Sequence, residues 1–78
     1  MVGKIIVVKA ARDSDAGVWF VESSDVPGLN LEADTLEDLV DKLPGAILDL
    51  IDDGRDGELD VPIELIAHAS ARIHRTAA

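Results

Sequence analysis

The chain has no cysteine. Neither a disulfide nor a thiolate metal site can reinforce its core, and cysteine usage leaves the redox compartment open. Tyrosine is also absent, and tryptophan, phenylalanine and methionine occur once each. No apolar run approaches the ~20 residues of a membrane-spanning helix, and the N-terminus lacks the basic-then-apolar layout of a signal peptide. A cytoplasmic, soluble protein is therefore expected. Basic residues are scarce as well: seven Lys and Arg stand against sixteen Asp and Glu, a net charge of −9. That balance argues against a protein that grips a phosphate backbone, and for solubility or a basic partner. With 78 residues the chain makes one domain, 1–78, that buries only about 60 to 65 per cent of the surface its unfolded form exposes. Its stability as a lone monomer is expected to be marginal.

What the chain does have is one well-patterned helix over residues 34–54. Leu36, Leu39, Val40, Leu43, Ile47, Leu50 and Ile51 recur at helical spacing, which places them on one face. Glu37, Asp38, Asp41, Lys42, Asp49 and Asp52 lie opposite. Thr35 can cap the first free amides, with Asp38 at capping-box spacing and Asp34 as an alternative cap. Gly54 suits the left-handed residue that closes a helix. Pro44 removes one amide and presses on the carbonyl of Val40, at a cost of about 3 kcal/mol, so the reading is a kinked helix or two pieces joined at Pro44 and Gly45.

The strands follow from their patterning. Residues 4–11 carry Ile5 and Val7 on one side and Ile6 and Val8 on the other, as in a central strand. A polar turn over 12–17 leads to Val18, Trp19, Phe20 and Val21, a second interior strand over 18–22. Pro27 and Gly28 specify a type II turn, and Asp25 can bond nearby amides. Residues 29–32 alternate on one side only, which suggests an edge strand. Residues 63–74 have period two, with Ile63, Leu65, Ala67, Ala69, Ala71 and Ile73 on one face, and the alanines suggest a helix passing closely above. A right-handed crossover then gives an α+β, two-layer β-β-β-α-β fold, its four-stranded mixed sheet in the order 3-2-1-4 with one helix on one face. Ile5, Val7, Ile66 and either Trp19 or Phe20 are left on the uncovered face. Such a patch implies an interface, most simply with a second copy in a homodimer or higher oligomer.

Ala16-Gly17-Val18-Trp19, then Asp25-Val26-Pro27-Gly28-Leu29, then Glu32-Ala33-Asp34-Thr35-Leu36-Glu37-Asp38-Leu39, following an Ile/Val-rich first strand, resemble the HicB-like antitoxin superfamily. Within it the chain is most similar to short stand-alone domains of uncharacterised type, over roughly residues 4–72. The resemblance implies a partial ribonuclease-H-like fold that masks a small basic RNA-cleaving toxin of the HicA type. In better-known members a helix-turn-helix or ribbon-helix-helix segment follows and represses the operon. Only four residues follow His74, so no such DNA-binding segment is expected, nor direct contact with DNA.

Catalysis is not expected. A nuclease site needs carboxylates converging on metal, and residues 4–11 contain neither Asp nor Glu. The segment 49–60 puts Asp49, Asp53, Gly54 and Asp60 near calcium-loop spacing, but Ile51 stands at the third position and the twelfth is not Glu. A solvated loop is the reading, with a regulatory or cation-binding domain as the alternative function. Asp52 and Asp53 place negative charge at the helix's carboxyl end, where Arg55 can neutralise it. His68 and His74 lie about 20 Å apart along an extended strand, too far to share a metal, and no cofactor is implied.

Overall fold

A computed structural model describes residues 5–51 and 60–77. The elements are β1 (Ile6–Asp13), β2 (Val18–Ser24), β3 (Glu32–Ala33), α1 (Leu36–Ile51) and β4 (Ile63–His68). They form one four-stranded sheet in the order β3-β2-β1-β4. β1 pairs antiparallel with β2 and parallel with β4, so the expected topology is the observed one, with β1 and β2 interior.

The local signals act where the sequence places them. Leu29 N donates to Val26 O at 3.4 Å around Pro27 and Gly28, with Gly28 at φ +83°, which is the positive dihedral a type II turn needs at its third residue. Thr35 Oγ1 accepts from Asp38 N at 3.0 Å, and Thr35 O accepts from Leu39 N at 3.1 Å. Thr35, rather than Asp34, is therefore the helix cap. In the β1–β2 turn Asp13 Oδ1 accepts from Asp15 N and Ala16 N, and Gly17 takes φ +72°.

The helix runs unbroken from Leu36 to Ile51 through Pro44, so the two-piece alternative is not adopted. Leu43 and Ile47, on either side of the proline, are 2% and 3% exposed. Val40, whose carbonyl loses its amide partner, lies on an exposed flank of the helix, where water can satisfy that carbonyl. Gly54 and the 52–59 part of the acidic loop lie outside the described residues, as does Lys4.

Two packed groups make the core. Val8, Val26, Leu43 and Ile47 form one, with Ile6, Val21, Leu29, Leu31, Ile63 and Leu65 against it. Ala10, Ala33 and Leu39 form the other, with Trp19 and Leu36 among the side chains against it. The buried stripe of α1 is narrower than its sequence pattern, because Val40, Leu50 and Ile51 are exposed.

All four strands differ in extent from the sequence reading. β1 and β2 continue to Asp13 and Ser24, because Asp13 pairs with Val18 at the hairpin and Ser24 pairs with Val8 at the other end of the ladder. The third strand is only Glu32–Ala33, pairing with Phe20 and Trp19. Leu29 and Leu31 still point into the core, but the chain leaving the turn joins the ladder late. β4 stops at His68, opposite Ala11, instead of running to His74. Its partner β1 ends two residues later, at its hairpin. Ala67, Ala69 and Ala71 are exposed, so the expectation of a helix close above them is not met: the covered part of β4 is Ile63 and Leu65.

Candidate interaction surface

Strand pairing determines which side chains share the face away from α1. Val7, Lys9 and Ala11 of β1 lie beside Glu64, Ile66 and His68 of β4, and Ala11 lies beside Phe20 of β2. Ile5 precedes β1 in the same alternation and is 54% exposed, while Ile66 is 47% exposed. Val7 and Phe20 are half-buried. No described element packs over this face, and its apolar exposure is carried by Ile5 and Ile66, while Ala11 is buried among its neighbours.

Of the two aromatic candidates, Phe20 occupies this face. Trp19 packs on the opposite side against the group containing Ala10, Ala33 and Leu39. Its place in the core excludes Trp19 from the open face. Val-Trp-Phe-Val is apolar at both parities, so alternation alone does not decide between the two.

The polar residues of the face are organised by a feature the sequence does not announce. Between Lys9 and Ala10 the β1–β2 register shifts, pairing Lys9 with Ser23 and Ala10 with Val21. Glu22 is left without a register partner, a β-bulge that redirects a side chain. Glu22 Oε2 lies 2.8 Å from His68 Nε2. His68 is thus held across the sheet by a carboxylate, and the link passes over the row of Ala11. Both side chains are at least half exposed, so the pair adds little stability and chiefly fixes the layout of the face.

The β1–β2 ladder closes with an acidic side chain. Asp25 Oδ2 accepts from Val7 N at 2.9 Å, and Asp25 N donates to Val7 O at 3.0 Å. Ser24 Oγ accepts from Val26 N at 3.1 Å and donates to Val26 O at 2.8 Å. These bonds fix the end of β1 that carries Ile5 and Val7.

Among the described residues no three His, Asp or Glu side chains converge as a metal-ion cage, and no helix is long and apolar enough to cross a membrane. On the other side of the sheet an open groove of about 340 Å³ is lined by Ile6, Pro44, Ile47, Leu48, Ile51, Val61 and Ile63. Among the described residues its lining side chains are all apolar.

Comparison with known proteins gives two matches. The family model described as a domain of unknown function, DUF1902, matches residues 5–77. A crystal structure of a hypothetical protein from the extremely thermophilic bacterium Thermus thermophilus is similar at 39% identity with a TM-score of 0.64, covering 92% of this chain and 100% of that one. No curated protein matches.

Proposed function

Because the chain belongs to the DUF1902 family, we propose, from the layout of its own surface, that it is a non-catalytic interaction module. In this reading it is a HicB-like antitoxin or antitoxin-derived protein whose open sheet face receives a small basic protein, an RNA-cleaving toxin of the HicA type.

The observation that carries the reading is the face itself. Val7, Phe20 and Ile66 sit on neighbouring strands with Ile5 at the rim, and no described element packs over them. Burying these apolar side chains contributes about 25 cal/mol per Å², and the polar side chains interleaved with them, Lys9, Glu22, Glu64 and His68, can orient a partner. The net charge of −9 favours a cationic partner by raising its encounter rate. The resemblance of the Asp25–Leu29 turn and the Thr35 cap to HicB-like antitoxins supplies the identity of that partner.

Co-expression with the product of the adjacent gene tests the reading. The expected result is a stable complex with a small basic protein, lost on Val7→Lys together with Ile66→Lys while the circular dichroism spectrum is unchanged. A preparation with no basic companion, from a genome with no such neighbouring gene, contradicts it.

A further inference from the structure

The strand pattern of the C-terminal region continues past the point where the strand stops. Ile63, Leu65, Ala67, Ala69, Ala71 and Ile73 alternate without interruption, yet the ladder ends at His68. Residues 69–77 have no regular structure and are exposed, and Ile73 is 99% exposed. The protein measures 66 Å along its longest axis against 27 and 19 Å across, as expected of a body with an extended arm. When extended, this segment keeps Ala69, Ala71 and Ile73 on one side, the period a strand requires.

A ladder is on offer along β4. This strand pairs with β1 on one side only, and among the described residues no strand pairs with its outer edge. An edge of this kind is a template for another chain. Beside it, on the helix side, lies the apolar groove that includes Ile63, Leu48 and Ile51.

Folding the arm back onto its own β4 needs a tight reversal after His68, and residues 63–78 contain no Gly, Asn, Asp or Pro to make one. A second copy can supply the strand without any reversal.

We propose that two copies of this chain exchange arms, residues 69–73 of each adding an antiparallel strand to the outer edge of β4 of the other, so that two sheets become one of eight strands. The inference concerns the sheet edge, which shares only the β4 residues Glu64, Ile66 and His68 with the open face discussed above. Charge supports a second copy as the occupant. All sixteen acidic residues precede residue 65, while Arg72 and Arg75 follow it, so a cationic arm meets an acidic body. Keeping the apolar parity on the helix side restricts the register to pairs whose residue numbers share parity. One such register places Arg72 opposite Glu64. It then sets Ile73 opposite Ile63 beside the groove, Ala71 opposite Leu65 and Ala69 opposite Ala67, with His68 of both copies on the two-fold axis. Every pair on the helix side is apolar, and the exposed Ile73 gains apolar cover.

Sedimentation and light scattering of the full chain test this. The expected mass is twice the 8.3 kDa of one copy. Ala71→Pro and Ile73→Asp should each give a monomer that still melts cooperatively, its circular dichroism spectrum losing only the strand signal of residues 69–73. Val7→Lys, on the open face, should leave the dimer intact. Arg72→Glu and Glu64→Arg should each weaken association at least tenfold, and their combination should restore it. A monomeric parent chain, or a dimer indifferent to both arm substitutions, overturns the proposal. Failure of the double charge exchange to restore association overturns the register.

Discussion

Val7 and Asp25 hold each other by both of their available groups: the Asp25 carboxylate accepts from the Val7 amide at 2.9 Å, and the Asp25 amide donates to the Val7 carbonyl at 3.0 Å. A side chain thereby closes the β1–β2 ladder at the end where the open face begins. Replacing Asp25 by Ala leaves the Val7 amide to water and should lower stability by about 1 kcal/mol, a value reduced by the exposure of the site. Urea denaturation at neutral pH checks it, and no change in midpoint would show that the bond contributes nothing.

The helix depends on its cap. Thr35→Ala removes the acceptor for Asp38 N and should cost about 1 kcal/mol, whereas Thr35→Ser should keep most of it. Thermal melts of the two variants against the parent chain separate the outcomes.

Gly28 tests backbone against space. A Cβ there meets nothing within 4 Å, but φ is +83°. Gly28→Ala should therefore destabilise by about 1 to 2 kcal/mol through the left-handed penalty alone. A neutral result in denaturant titration would mean that the turn changes type without loss.

The two flanks of α1 should respond differently. Leu43→Ala empties a site 2% exposed and should cost about 2 to 5 kcal/mol, enough to unfold much of so small a protein. Leu48→Ala, on the exposed flank, should cost less than about 0.5 kcal/mol. Equal losses would contradict the packing described for the helix.

Features encoded within a few residues were legible in the sequence. The turn at Pro27 and Gly28, the cap at Thr35 and the buried series Leu39, Leu43, Ile47 depend on local rules, and so did the strand order, once two strands apolar on both faces had to be interior. Features set by distant partners were not. β4 ends opposite Ala11, two residues before β1 itself ends, and its sequence alternation carries no mark of that point. The bulge at Glu22 has no composition signal. The choice between Trp19 and Phe20 needed the pairing of Ala10 with Val21, because their shared segment is apolar at both parities. For the candidate surface, Val7 and Ile66 were readable from alternation, whereas the bond from Glu22 to His68 required the bulge.

The open face is the central claim, and methyl NMR reads it directly. On titration with the basic product of the adjacent gene, the methyl signals of Ile5, Val7 and Ile66 should shift or broaden while those of Leu39 and Leu43 move little. Perturbations gathered on Val40 and Leu48 of the helix flank, or none at saturating partner, would contradict the account.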